Sequence, residues 1–373
     1  MDHSLRIIAV EPWPLRLPLR QPMQLASETV AVAETLLVRV VDDAGQEGWG
    51  EAATAPTMTG ELLPGMVAAV ARFLGPALCA APVAGPAEAA QRLHRAIRGN
   101  TGAKSAVETA VLDLAARRAG VPVAALLGGA RRVLAPAIRM VGEADPEATL
   151  EKVAAAWGWS HVKLKLGMGA GPEADARLCV AARGILGPAA HLSGDANMAW
   201  DAGGALRFLA ALPPGTLDYL EQPVADDDLE GMAAAVAAGA CAICADEGLH
   251  GMADIAAHAA RRAADGVGLK AIKLGGLQAT LAADALAGRL GLRTTLACKI
   301  AESGIGAAAM AQLAAVVPDV AWGVSLTHGM LAEDVVAAPV RVEHGMLRVP
   351  DGPGHGAVPE MARLGRYRWK DAA

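Results

Sequence analysis

The chain has 373 residues, a formal net charge of −6, 53% hydrophobic, 19% charged and 3% aromatic residues. That length fits a barrel of about 250 residues plus a smaller unit, and the Ala-, Leu- and Val-rich composition reads as a helix-rich soluble fold. The acidic balance and the lack of a Lys/Arg stripe argue against nucleic acid or an anionic membrane as partner, which leaves a small molecule.

Residues 1–20 alternate apolar and polar positions and break at prolines, unlike the continuous apolar core of a secretory signal, so they predict the first strand of a folded unit. No run of about 18 residues reads as a membrane span. A cytoplasmic location is the expectation, and five scattered cysteines, Cys79, Cys179, Cys241, Cys244 and Cys298, fit a reducing compartment. Cys241 and Cys244 form a CxxC inside the apolar run 240–245; with no second ligand pair at metal-site spacing they read as buried strand.

Strands are predicted over 5–20 and 34–50, the latter broken by the turn Asp42-Asp43-Ala44-Gly45 and ending in Gly48-Trp49-Gly50-Glu51. Helical spacing follows over 61–80, 87–98 and 102–119, and the last of these stops at Gly120 ahead of Pro122. Segments 21–29 and 55–61 read as loops beside the strands and are lid candidates. Together these make an α+β unit over 1–130. From 131 to 339 short apolar runs alternate with Ala-rich helices, the pattern of βα units. Strands are predicted at 135–141, 161–166, 191–195, 217–221, 241–246, 267–271, 293–298 and 321–326. Eight is the barrel number. Beyond Val340 a short strand, the glycine-rich 351–356 and a basic tail are expected to return to the first unit, so that 340–373 completes it.

Three carboxylates end successive predicted strands. Asp195, Glu221 and Asp246 stand 26 and 25 residues apart, with Lys163 and Lys165 before them and Lys270 a further 24 residues on. Such steps match one strand, one helix and two loops, and strand ends at the C-terminal face of a parallel barrel converge on one pocket. A lone acid at a strand end is as a rule a helix N-cap or a surface group; three in register point to a shared site. Hard oxygen donors with open positions for water and substrate suit Mg²⁺ better than zinc, with Mn²⁺ as the alternative.

Lys163 and Lys165, two apart on a strand, face the same side, taken as the barrel interior. Close ammonium groups disfavour each other's charge, which predicts a lowered pKa for at least one and a neutral amine base near pH 7. Lys270 is assigned to the interior and Lys273 to the following loop. A Schiff-base lysine is the rival chemistry.

This ordered set resembles the enolase superfamily, specifically its muconate-lactonizing-enzyme subgroup. The matching pieces are Lys163-x-Lys165, Asp195-x-Asn197, Glu221-Gln-Pro, Asp246-Glu247 and Lys270 followed by Gly275-Gly276; Gly48-Trp-Gly-Glu51 and Pro353-Gly-His-Gly356 support them. The resemblance spans nearly the whole chain. It implies an N-terminal α+β capping domain on a modified TIM barrel of (β/α)7β type, with 21–29 and 55–61 closing over the pocket. It implies removal of the proton α to a substrate carboxylate to give an enediolate stabilised by Mg²⁺, chemistry that this superfamily is known to run with a Lys or His base. Lys165 and Lys270 are then acid/base residues and Lys163 stabilises charge. Asp195, Glu221 and Asp246 bind the metal, and Glu247 supports them.

Substrate contacts are expected from Asn197, Glu302, Lys299, Thr327, His328, Met58 and Arg139. Ser325-Leu-Thr327-His328 departs from the Asp-x-Asp that ends the last strand in dipeptide epimerases, which puts a dipeptide substrate in doubt. The expected reaction is racemisation, epimerisation or cycloisomerisation of a small carboxylate or amino-acid derivative by a homo-oligomer. A syn-dehydratase, such as an o-succinylbenzoate-synthase-like or hydroxyproline-dehydratase-like activity, is the runner-up. A non-catalytic barrel is the reading from another class, and it would not require two bases and three ligands.

Overall fold

The computed structural model describes residues 4–24, 29–169 and 171–370. Three strands, β1 (Ile7–Gln24), β2 (Thr29–Asp42) and β3 (Glu47–Ala53), pair antiparallel in that order. Asp42 Oδ1 accepts from the amides of Ala44 and Gln46 and shapes the turn between β2 and β3. The first lid candidate, 21–29, is in part strand, since β1 runs to Gln24 and β2 starts at Thr29; residues 25–28 lie outside the described residues. The second, 55–61, is a turn closed by a bridge between Ala55 and Glu61. The Glu61 carboxylate then accepts from the amides of Gly102 and Ala103, capping the Thr101–Ala119 helix with negative charge at its positive end.

That helix lies almost in contact with β3. A Cβ on Gly48 would stand 2.1 Å from the Ala110 carbonyl oxygen, and one on Gly50 2.1 Å from that of Ala106, so only glycine admits the approach. The predicted helix over 61–80 is observed from Leu63 to Cys79, with a π turn over Val70–Leu74 just ahead of Pro76. A proline lacks the amide of the regular ladder and clashes with the carbonyl four residues back, and a widened turn accommodates it.

After β4 (Leu134–Pro136) come eight parallel strands hydrogen-bonded in chain order: β5 (Ile138–Val141), β6 (His161–Lys165), β7 (His191–Asp195), β8 (Tyr219–Glu221), β9 (Ala242–Ala245), β10 (Gly266–Leu269), β11 (Arg293–Ala297) and β12 (Val324–Ser325). A parallel bridge between Ala137 and Val324 brings the first and last strands together. Helices follow each of the first seven strands, which gives the expected (β/α)7β barrel with an antiparallel N-terminal sheet. Cys244 is buried in β9 and Cys241 stands just before it, both as free thiols.

β13 (Val342–Glu343) and β14 (Met346–Arg348) pair with each other and β14 with β4. His355 then ties the tail to the N-terminal sheet: its amide donates to Asp113 Oδ1 and its Nε2 lies 2.9 Å from the Trp49 carbonyl, while the Trp49 amide donates to Asp113 Oδ2. Among the described residues one apolar core lies between the barrel strands and the helices around them, and a second lies between the N-terminal sheet and its helices. Tyr219, Cys244 and Trp322 form a small third cluster, with Tyr219 and Cys244 on the same strand faces as the cavity residues. Among the described residues no helix is long and apolar enough to cross a membrane.

Candidate active site

Parallel register sets the chemistry at one height. Lys165 of β6 pairs with Asp195 of β7, and Asp195 with Glu221 of β8. Asp246 follows the end of β9 and Lys270 the end of β10. These are C-terminal strand ends, the face where barrel loops converge. Their side chains line one cavity of about 210 Å³ together with Lys163, Asn197, Glu247 and Lys299, and Met58 closes it from the 55–61 turn.

Each carboxylate is buried and turned onto an ammonium group. Lys163 donates to Glu221 Oε2, Lys165 donates to Asp195 Oδ2 at 2.6 Å and to Asn197 Oδ1 at 2.9 Å, and Lys270 donates to Asp246 Oδ2. Asn197 also donates through Nδ2 to Glu247 Oε1 at 2.9 Å. Asn197 and Gln222, the residues that bend the chain just past β7 and β8, hold φ of 44° and 34°, left-handed values uncommon outside glycine.

Burial opposes the charge on Lys163, but Glu221, Tyr219 and Asp195 together outweigh it and hold the ammonium well above the ordinary lysine range. Burial likewise opposes the charge on Lys270, and Asp246, with Glu247 and Glu221, outweighs it and raises the ammonium. Of the two paired lysines, Lys163 is therefore not one with a lowered pKa: the acidic groups around it, not the second lysine, set its charge. Burial pushes the Glu221 carboxyl up to about 7 against the pull of Lys163, with Asp195 and Asp246 adding to the rise. Asp246 is held well below the usual carboxylate range, because Lys270 and Lys273 together outweigh its burial.

Lys273 is a correction. It is not in a loop: the chain enters the short helix Ala271–Leu274 directly after Lys270, and one helical turn carries Lys273, 2% exposed, onto Asp246. Burial lowers its pKa while Asp246 pulls it back up. Arg139 is a second correction. Alternation along β5 turns Met140, not Arg139, into the cavity, and the Arg139 guanidinium lies over the Trp159 ring at 5.7 Å.

Thr327 and His328 also stand outside the cavity. β12 ends at Ser325, which does line it; Thr327 Oγ1 donates to the Lys299 carbonyl at 2.7 Å, and His328 Nε2 meets the Val340 carbonyl at 3.1 Å. Glu302 lies behind the wall, accepting from the amides of Lys299 and Ala53. Burial and the neighbouring Glu51 push its carboxyl up to about 8. Thr57, Met140, Met198, Ala297, Cys298 and Ile300 also line the cavity, and of these Met140, Met198 and Ile300 carry no signal in the sequence.

Among the described residues no three His, Cys, Asp or Glu side chains are gathered into a ready-made metal cage. The donor set nonetheless fits a hard divalent cation. Three buried carboxylates from consecutive strands face one cavity, and Glu247 Oε2 is buried beside them without a hydrogen-bond partner.

Residues 145–363 match the family described as enolase C-terminal domain-like, and residues 7–128 match the mandelate racemase/muconate lactonizing enzyme N-terminal domain. The chain belongs to this family. Within the mandelate racemase/muconate lactonizing enzyme family it is similar to muconate cycloisomerase 1 of Rhodococcus opacus, 33% identical over 359 residues that cover 95% of this chain and 96% of that protein. It is 29% identical to the L-Ala-D/L-Glu epimerase of Bacillus subtilis, covering 95% and 97% of the two chains. The crystal structure of the muconate lactonizing enzyme from Pseudomonas fluorescens, complexed with muconolactone, superposes with a TM-score of 0.91 at 30% identity over 98% of this chain and all of that one. The family resemblance read from the motifs is borne out, and these relatives are isomerases.

Proposed function

We propose that the chain is a Mg²⁺-dependent isomerase, with Mn²⁺ as the alternative metal, that transfers a proton at the carbon α to a carboxylate of a small dicarboxylate of the muconate type. The observation that carries the reading is that Lys165 and Lys270 enter one cavity from strands β6 and β10, with Asp195, Glu221 and Asp246 on the three strands between them. Those three carboxylates would hold the cation. When bound, it supplies charge stabilisation for the oxyanion that develops as the α-proton moves.

The chain's own groups do the rest. Lys163, held cationic, is placed to add to oxyanion stabilisation. Lys165 and Lys270 face a planar carbon from opposite sides, so each reaches a proton on one face only. In cycloisomerisation an oxygen of one substrate carboxylate bonds to a carbon of the double bond, and the π electrons shift toward the carbon α to the other carboxylate. One lysine ammonium then delivers its proton there, and no oxidant or reductant is needed.

The charge of the lining supports a dianion. Four lysines and four carboxylates line the cavity, so a divalent cation leaves it net positive. Ser325, which ends β12 and lines the cavity, is a neutral hydroxyl where the resemblance to dipeptide epimerases would place an acid for a substrate ammonium. Racemisation or epimerisation is the second reading, favoured by the placement of both lysines, since it follows whenever both exchange their protons. The test is turnover of cis,cis-muconate and of N-acyl amino acids with Mg²⁺, followed by loss of diene absorbance and by chiral chromatography. Folded protein that converts no dicarboxylate and no amino-acid derivative, with either metal, overturns the proposal.

A further inference from the structure

We infer that Lys273 is a positioning residue for the cation site, holding Asp246 so that only its Oδ2 is offered to the cavity. This rests on reading Asp195, Glu221 and Asp246 as cation ligands.

Because the chain turns from β10 straight into the Ala271–Leu274 helix, Lys270 and Lys273 stand one helical turn apart and both reach Asp246. Their tasks differ. Lys270 lines the cavity and donates to Oδ2, whereas Lys273 lies behind the wall and donates to Oδ1 at 2.7 Å and to the main-chain carbonyl of the same residue. The Asp246 amide is taken by Gln222 Oε1 at 2.9 Å. Amide, carbonyl and Oδ1 are thus all engaged from outside the cavity, and Oδ2 alone is left to face it. A lysine committed to two oxygens of one residue and 2% exposed has no path to a substrate proton. Its effect passes through Asp246.

Lys273→Met keeps length and bulk while removing the donors, and it leaves Oδ1 and a main-chain carbonyl buried without that partner. Removing the partner of a ligating carboxylate costs about 10–100-fold in metal affinity. The probe is Mn²⁺ alone, its free concentration read by electron paramagnetic resonance, on the wild type, Lys273→Met, Asp246→Asn and the double variant. Circular dichroism checks that each is folded.

The expected result is a 10–100-fold weaker Mn²⁺ affinity in Lys273→Met, little further loss when the same change is made in the Asp246→Asn background, and recovery of most of kcat at saturating metal. Unchanged affinity in Lys273→Met, with Asp246→Asn impaired, overturns the inference and leaves the cation site standing. So does an equal loss in both backgrounds, which would make Lys273 act independently of Asp246. Wild-type protein with no saturable Mn²⁺ binding, or Asp246→Asn binding like wild type, overturns the cation reading itself. Should Lys273→Met not fold, Lys273→Gln, with one donor retained, carries the same test with a smaller expected loss.

Discussion

Glu51→Ala tests whether the N-terminal sheet supports the cavity wall. Glu51 is 4% exposed, and its two oxygens accept from Thr35 Oγ1 at 2.8 Å, Ser303 Oγ at 2.6 Å, the Ser303 amide at 2.9 Å and the Gly306 amide at 2.9 Å. The two amides open the Gly304–Val316 helix, where no partner exists within the helix itself. Truncation leaves both buried and unsatisfied, at about 1–3 kcal/mol each, and the hydroxyls can turn to other acceptors. Against this, burial already pushes the Glu51 carboxyl up, and its neighbour Glu302 is relieved when Glu51 is removed. A net loss of about 3 kcal/mol in urea unfolding is expected, with Glu51→Gln intermediate because one acceptor oxygen remains. Ser303 stands three residues past Ile300, which lines the cavity with Lys299, so KM should rise more than kcat falls. A stability change under about 1 kcal/mol, with KM unmoved, would refute the reasoning.

The Glu302 carboxyl, pushed up to about 8 from an unfolded value of about 4.3, binds its proton more tightly in the folded chain. Its stabilising contribution is therefore full below the unfolded value and is lost as pH rises through about 8. The wild type should lose stability relative to Glu302→Gln between about pH 5 and pH 8, and parallel denaturation profiles would contradict this. Gly50→Ala should yield no soluble folded protein, since the new methyl meets the Ala106 carbonyl at 2.1 Å; a wild-type melting temperature for that variant would show that β3 can shift. EDTA should lower the melting temperature of metal-loaded protein, since a cation at a hundredfold excess over Kd adds about 2.7 kcal/mol; identical melting with and without chelator counts against a bound metal.

What was legible in the sequence was the part governed by period and punctuation. Asp195, Glu221 and Asp246 each close an apolar run at a barrel-like interval, and all eight strands lie where such runs stand. The strand period ends at Leu269, so it does not place Lys273, whereas Lys270-x-x-Lys273 has the spacing of one helical turn. Arg139 and Met140 alternate correctly, but both belong to a short strand whose inward parity only the barrel's closure decides. Thr327 and His328 lie past a last strand of only two residues, Val324–Ser325, too short for alternation to mark where the pocket wall ends. Glu302 and Glu51 meet across 251 positions of sequence, and no local signal announces such a contact.

The most direct test of the central claim is α-proton exchange in deuterated water. Wild-type protein with Mg²⁺ and an accepted carboxylate, followed by ¹H NMR, should incorporate deuterium at the α-carbon. Lys165→Ala and Lys270→Ala should each reduce that exchange by at least 10²–10⁴-fold, for opposite enantiomers if the centre is inverted. Exchange that survives both substitutions, or that is indifferent to Mg²⁺ and to Asp195→Asn, would contradict the account.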